Sequence, residues 1–504
     1  MNAPLRRVGV VVMVLFGLLF ANLNWIQAYK ADEYRNSDYN GRVQVAEYER
    51  KRGNIEVGGT AYALSKDTGG KLRFQRSYPS GEMYAHVLGY KPVNNADTGI
   101  ERLENEFLAG TSDQLIANRV RDMFTGEQTG GGNVLLSLSK RAQETAFKQL
   151  QNNQVGAKRG AAIAIDPRTG AVQALVSMPS FDPNPLVSHD TGAAAAAFNK
   201  LEKDPERPLA NRALSETLPP GSTFKIVVAA AALENGIGKQ TTIPAGSSWT
   251  PPTAGQPIRN AAASICPGPT GTPVTLMDAV TYSCNTGFAQ LGVRLGADKV
   301  KDKARQFGFE QEDLTVGQLG EGGLRVAASR TGDMQNPDGG TDPAALAQSA
   351  IGQNNVRMTP LQGALIAASV ANDGSQMRPY LVKQLLAPDR TTSYYTAKPR
   401  ELRRPVSSQV ASDLRDMMVS AVKNGTGRKA AIDGYIVGGK TGTAQSGPNT
   451  PDHGWFIGFA MDKNGTPVSA VCVELEQAGS GGSAEAARIA GRIMAAAIAD
   501  SGSR

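Results

Sequence analysis

The sequence predicts an α+β protein, with one sheet assembled from strands far apart in the chain and helices packed on it. A small N-terminal module and a single transmembrane helix precede that sheet. Three observations carry this expectation. No charged residue occurs from Val8 to Tyr29. Strand-like runs lie at both ends of the region from Gly160 to Leu475, with helical sequence between them. Gly130-Gly131-Gly132 breaks the chain ahead of that region.

The 504 residues leave room for two or three domains. Hydrophobic residues make up 40% and charged residues 20%, an ordinary globular balance. Lysine and arginine number 53 against 46 acidic residues, giving a net charge of +7. The longest basic cluster is only Arg50-Lys51-Arg52, so nucleic-acid binding is not expected. A mildly basic surface suits anionic lipid or cell-wall polymer.

The stretch from Val8 to Tyr29 holds 22 residues, which as helix span about 33 Å, enough for a hydrocarbon core. Arg6 and Arg7 favour a cytoplasmic N-terminus, and Trp25 and Tyr29 suit the outer interface. Ile26-Gln27-Ala28 is a poor cleavage site and the apolar stretch exceeds a typical signal-peptide core, so an uncleaved signal anchor is favoured over a cleaved signal peptide. The expected organisation is a cytoplasmic tail at 1–7, an anchor at 8–29, a non-catalytic module at 30–155 and a catalytic domain at 156–504.

Within the smaller module, Ile55-Glu56-Val57 alternates as a strand and Thr98 to Leu108 reads as an amphipathic helix. Val134 to Leu138 reads as a strand, followed by a helix from Lys140 to Leu150. Ala161 to Ile165, the turn Asp166-Pro167-Arg168-Thr169-Gly170 and Ala171 to Val176 read as a hairpin. After a long helical region, strands return at Tyr435 to Val437, Gly454 to Phe459 and Ser469 to Leu475. Ala484 to Ala499 is an amphipathic helix rich in alanine.

The chemistry has few candidates. His86, His189 and His453 fall in no H-E-x-x-H, and no G-x-S-x-G occurs, so no metal or cofactor is expected. Gly434 to Thr441 satisfies G-x-x-x-x-G-K-[ST]. Its centre is strand-like, however, and Gly442 to Pro448 cannot readily open a helix, which excludes a phosphate loop. Three other patterns occur in order. Ser222-Thr223-Phe224-Lys225 follows Pro219-Pro220-Gly221 and opens an apolar run from Ile226 to Leu233. At helical spacing Ser222 and Lys225 share a face, and a desolvated lysine there could take the serine proton. Ser283-Cys284-Asn285 is the second pattern and Lys440-Thr441-Gly442-Thr443 the third. S-x-x-K, S-x-N and K-T-G in this order form a strong signature.

On these motifs the chain resembles the penicilloyl-serine transferases, specifically a class B penicillin-binding protein of the actinobacterial penicillin-binding protein A group. The likeness extends through Gly160 to Pro183, Asn211-Arg212-Ala213, Ala350-Ile351-Gly352-Gln353, Thr359-Pro360, Arg52 to Ile55 and Gly99-Ile100-Glu101. Where the family's pedestal carries D-R-N-G, this chain reads Glu56-Val57-Gly58-Gly59. The resemblance implies an antiparallel sheet with helices on both faces, above a pedestal at 30–155. It implies a D,D-transpeptidase that cross-links peptidoglycan stem peptides, releases D-alanine and is acylated by β-lactams. Residues 30–155 are too few to add a glycosyltransferase domain.

The resemblance also implies roles. Ser222 is the nucleophile, Lys225 its base, and Ser283 a proton relay. Asn285 holds Lys225 and the peptide, and Lys440 keeps Lys225 neutral while attracting the substrate carboxylate. Thr441, Gly442 and Thr443 bind substrate, with the backbone N–H groups of Ser222 and Thr443 as the oxyanion hole. Divisome or elongation proteins are implied as partners. A D,D-carboxypeptidase, or a non-catalytic β-lactam receptor or divisome scaffold, is the alternative. Cys266 and Cys284 are close enough to bridge, and two buried thiols serve equally well; Cys472 reads as a buried apolar residue.

Overall fold

The computed structural model describes residues 3–30, 47–125, 129–260, 266, 272–320, 322–336, 338–445, 447 and 449–501. Helix α1 (Ala3–Asn24) runs on into a single wider turn at Trp25–Tyr29. Its segment Arg6–Tyr29 is, among the described residues, the one helix long and apolar enough to cross a membrane. Among the described residues nothing buries its large apolar side chains, from Val8 through Leu23.

The N-terminal module is built on strands β1 (Ile55–Val57), β2 (Thr60–Asp67), β3 (Phe74–Ser77) and β4 (Asn133–Leu136). Gly58 and Gly59 take φ of 55° and 81°, a left-handed pair that only glycine adopts cheaply, and so close the β1–β2 hairpin. This is where the sequence departs from the family pattern. β4 then lies parallel to β1.

A charged cluster stands at the centre of this module. Glu101 is fully buried and accepts from Arg52 Nε at 2.7 Å and from Arg76 Nε at 2.6 Å. Burial opposes its ionisation, but the two guanidiniums outweigh that and hold its carboxyl below the usual range. Arg52 also donates to the Glu101 carbonyl at 2.8 Å and to Asn105 Oδ1 at 2.7 Å. The carbonyl it takes is the one residue 105 would bond in a continuous helix. Accordingly the helix expected from Thr98 to Leu108 is two short pieces, Gly99–Leu103 and Asn105–Ala109, joined at Glu104.

The larger module begins with α2 (Lys140–Gln151) and the hairpin β5 (Arg159–Ile165) and β6 (Val172–Met178). The helical region that follows includes α3 (Lys225–Glu234), α4 (Leu276–Thr281), α5 (Asn285–Leu295) and α6 (Pro360–Ala371). A second hairpin, β7 (Val382–Leu386) and β8 (Ser393–Thr396), leads to α7 (Ser408–Lys423). Strands β9 (Ile436–Ala444), β10 (His453–Met461) and β11 (Pro467–Glu476) precede the terminal α8 (Gly482–Ser501). The order β9-β10-β11-β5-β6 is antiparallel throughout, so the last three strands close onto the first two.

Helices cover both faces, as the family resemblance implies. On one face α6 is buried along its whole length, started by Thr359, whose Oγ1 accepts from Gln362 N at 3.1 Å, and by Pro360 at its first position. A Cβ on Gly363 would lie 2.8 Å from Cys472 Sγ, so glycine lets this helix approach the sheet, and Cys472 is a packing residue. On the other face α8 and α2 share one buried apolar cluster, to which Ile489, Ile493, Phe147, Val471 and Val473 belong.

Packing crosses the boundary expected at residue 155. Helix α2, grouped by sequence with the smaller module, packs on the larger sheet, and Ser139 Oγ ties its start to Asp500 of α8 at 2.6 Å. In return β7 pairs with β4, so the hairpin from the larger module extends the N-terminal sheet to the order β8-β7-β4-β1-β2-β3. The two modules share backbone hydrogen bonds and are not separate beads.

Replacing Glu101 by glutamine leaves two buried guanidiniums short of a countercharge, a loss of about 3–5 kcal/mol. Urea unfolding of the full chain is expected to show an earlier transition for Glu101→Gln. An unchanged curve would mean the cluster is electrostatically idle.

Candidate active site

Ser222 sits on one 3-10 turn, Gly221–Phe224, ahead of α3. Prolines 219 and 220 stop the preceding chain, and Gly221 takes φ of 53°. A Cβ there would lie 2.4 Å from the Thr443 carbonyl oxygen, and a Cβ on Gly352 would lie 1.9 Å from the Gly221 carbonyl oxygen. Gly221 N also donates to Gly352 O at 3.0 Å. Glycine at 221 and 352 thus lets three distant segments meet within one residue's width. In a 3-10 turn positions i and i+3 eclipse, so Ser222 and Lys225 point the same way, although Lys225 opens the α-helix and Ser222 precedes it.

The apolar run behind them is buried, from Ile226 to Ala232, and Lys225 goes down with it at 0% exposure. Its Nζ lies 2.9 Å from the Ser283 carbonyl, 2.7 Å from Asn285 Oδ1 and 3.4 Å from Ser283 Oγ. No carboxylate is among these partners. Burial first, and then the charge of Lys440, push Lys225 well below the usual lysine range. The Phe288 ring, 5.5 Å away, favours the cation but does not reverse this. A neutral amine fits the partners well. Its two protons serve the two oxygens at shorter range, and its lone pair is left for a hydroxyl proton.

The turn between α4 and α5 aims Ser283 and Asn285 at that amine. Ser283 takes φ of 60°, unusual for a residue with a side chain, and its N–H is held by the Val280 carbonyl at 3.2 Å. Asn285 Nδ2 donates to the Arg259 carbonyl at 2.9 Å, which fixes its oxygen toward Lys225. A disulfide joins Cys284, between the two, to Cys266, with Cα atoms 5.8 Å apart. The sequence reading left this pairing open.

Lys440 lies within β9, fully buried, with Nζ 3.1 Å from the Thr441 carbonyl. Burial pushes it down to about 7. β9 runs unbroken through Gly439-Lys440-Thr441-Gly442, with no helix following. It is the edge of its sheet, so alternate backbone groups face outward. Thr443 is one of these, since its carbonyl oxygen meets Gly221 and accepts from Gln353 Nε2 at 3.5 Å. In an antiparallel strand a residue's N–H and C=O point to the same side, so the Thr443 N–H faces the Ser222 turn.

Together these residues enclose a cleft of about 180 Å³ lined by Ser222, Ser283, Asn285, Thr441 and Thr443, with Tyr282, Ile351, Gln353, Thr426 and Ser483. A larger hollow of about 540 Å³ lies beside the Asp373–Arg415 ion pair and holds no comparable set. Sequence reasoning did not single out Thr426 or Ser483 as site residues. Thr426 had a local signal, the flanking glycines of Gly425-Thr426-Gly427, whereas Ser483 had none beyond the glycines before α8. Among the described residues no group of three His, Cys, Asp or Glu is placed to hold a metal.

The arrangement presents a hydroxyl, a neutral amine one turn away, a second buried lysine and outward N–H groups at one point. That is the equipment for acyl transfer through a serine. Residues 160–495 match the penicillin-binding protein transpeptidase domain, and residues 52–134 the penicillin-binding protein A dimerisation domain. The chain is 43% identical over 503 residues to the peptidoglycan D,D-transpeptidase PbpA of Mycolicibacterium smegmatis, covering 99% of each. It is 40% identical to PbpA of Mycobacterium tuberculosis, again over 99% of each. Among solved structures, the ceftriaxone acyl-enzyme of M. tuberculosis penicillin-binding protein A aligns with a TM-score of 0.82 at 39% identity, covering 90% of this chain and 100% of that one. The penicillin G acyl-enzyme of the same protein gives 0.80 at 38% identity, covering 90% and 99%.

Proposed function

The chain belongs to the penicillin-binding protein transpeptidase family, class B, and on that premise we propose how its residues carry out D,D-transpeptidation. The observation that supports this most is the burial of Lys225, without a carboxylate, beside Ser283 and Asn285 and one turn from Ser222.

Ser222 Oγ attacks the carbonyl carbon of the penultimate D-alanine of a stem peptide, and its proton passes to the neutral Lys225 Nζ. Oxygen gains charge as the tetrahedral adduct forms, and the N–H groups of Ser222 and Thr443 receive it. Such a donor is worth about 2.7–4 kcal/mol. The adduct collapses with cleavage of the C–N bond. The proton held by Lys225 returns through the Ser283 hydroxyl to the leaving nitrogen, and D-alanine departs. An amine of a second stem peptide then attacks the acyl-serine, loses its proton to the same relay, and Ser222 Oγ–H is restored as the cross-link forms. Lys440 attracts the terminal carboxylate, and its charge disfavours a second cation at Lys225. A β-lactam reacts by the same attack, with ring opening in place of a departing group.

The disulfide has a place here. Cys266 braces Cys284, and with it the left-handed Ser283 and the Asn285 amide. The apolar N-terminal helix anchors the chain as a single span. With Arg6 and Arg7 before it, the N-terminus faces the cytoplasm, and residues 30–504 lie outside the membrane, where a disulfide persists. Residues 30 to about 139 act as the non-catalytic pedestal and the rest as the transpeptidase domain, assembled with divisome or elongation proteins.

The test is an intact-mass time course of the full chain with benzylpenicillin, beside Ser222→Ala. An adduct lasting many minutes and absent from the variant is expected. Rapid loss of the adduct would mean a hydrolase, and an adduct on Ser222→Ala would overturn the nucleophile. The same assay after reduction and alkylation of the bridge is expected to show acylation slowed by about tenfold to a hundredfold, the range for a misplaced catalytic group. Unchanged acylation would remove the bridge from the account.

A further inference from the structure

Two hydroxyls in the cleft belong to none of the three motifs, and each is paired with a threonine of β9. Thr426 Oγ1 lies 2.5 Å from Thr441 Oγ1. Thr443 Oγ1 donates to Ser483 Oγ at 3.3 Å. Thr426 is held by the turn after α7, where a Cβ on Gly425 would lie 2.0 Å from the Thr281 carbonyl oxygen. Ser483 opens α8, where a Cβ on Gly454 would lie 2.3 Å from the Gly482 carbonyl carbon. Both segments are wedged against their neighbours, so both hydroxyls stand at fixed positions on the cleft wall.

A hydroxyl carries one proton and two lone pairs. Among the described residues, these four hydroxyls make no other side-chain hydrogen bond. Each pair therefore consumes one proton internally and keeps one for the cleft. Two pairs along an open strand edge offer two outward O–H donors, which matches the two oxygens of one carboxylate. An ester or amide at that place presents a single carbonyl acceptor and no charge, and leaves one donor idle.

We propose that Thr426 and Ser483 are positioning residues that set the preference of this site for a free terminal carboxylate. They occupy a lone pair or proton of Thr441 and Thr443 and direct the remaining protons into the cleft. This rests on the reading of Ser222 as the acylated residue. It goes beyond that reading by assigning carboxylate selectivity to two residues outside the motifs.

The experiment compares acylation of the full chain by benzylpenicillin and by its methyl ester, in the wild type, Thr426→Ala, Thr426→Ser and Ser483→Ala. Hydrogen bonds to charged groups are the stronger class, so each alanine variant is expected to lose about tenfold in acylation by the acid and under about twofold by the ester. Thr426→Ser keeps the hydroxyl and is expected to retain the acid preference. Equal losses for acid and ester would mean the pairs only brace the strand, and would overturn the inference, as would an acid preference untouched in both alanine variants. A wild type acylated by neither compound would instead overturn the reading of Ser222.

Discussion

An ammonium group removed from water with no carboxylate to meet it holds its proton weakly, and the site depends on that constraint at Lys225. The apolar run from Ile226 to Ala232 requires its helix to be buried, and Lys225 is carried inward with it. The partners supplied there are a carbonyl, an amide oxygen and a hydroxyl, all neutral. An aspartate in place of Asn285 would return the proton to the lysine. The second buried lysine, Lys440, adds to the pressure in the same direction through its charge. The rest of the cleft can be read as the means of bringing a serine to this amine.

That means is mainly close packing of backbone. Gly221, Gly352 and Thr443 come from three regions of the chain and touch without side chains between them. Because β9 is a sheet edge, its outward amides remain open to this junction and do not pair with another strand. The edge strand is in turn fixed by β10 and β11, and these by β5, so the sheet closure that joins the two ends of the domain also positions the site. The N-terminal sheet takes β7 and β8 from the larger module, which makes the two modules continuous through backbone hydrogen bonds.

Much of this was legible in the sequence. The hairpin after Gly160, the three terminal strands and the last helix fall near where the sequence puts them, because each strand is a nearly continuous apolar run, as burial on both faces requires, and the helix has an apolar stripe. The motif order brought Ser222, Lys225, Ser283, Asn285, Lys440, Thr441 and Thr443 to attention, and the fold gathers them at one cleft. The misses have physical reasons. A helix at Thr98 to Leu108 has the right periodicity, yet a buried arginine, Arg52, takes one of its carbonyls from outside. Helix α2 carries no mark of which sheet its apolar face will choose, since alanine and phenylalanine suit either. Thr426 and Ser483 are ordinary polar residues in glycine-rich turns, and only the packing of α7 and α8 brings them to the strand edge. The pairing of Cys266 with Cys284 required geometry that spacing alone does not contain.

The account turns on the protonation of one amine, so the most direct measurement is the pH titration of lysine side chains by NMR, in the full chain and in Lys225→Met and Lys440→Met. The account predicts two resonances that titrate far below the remaining lysines, one lost in each variant. In Lys440→Met the Lys225 resonance moves to higher pH, because a like charge has been removed. A Lys225 that titrates with the other lysines would contradict it, since a protonated amine could not accept the proton of Ser222.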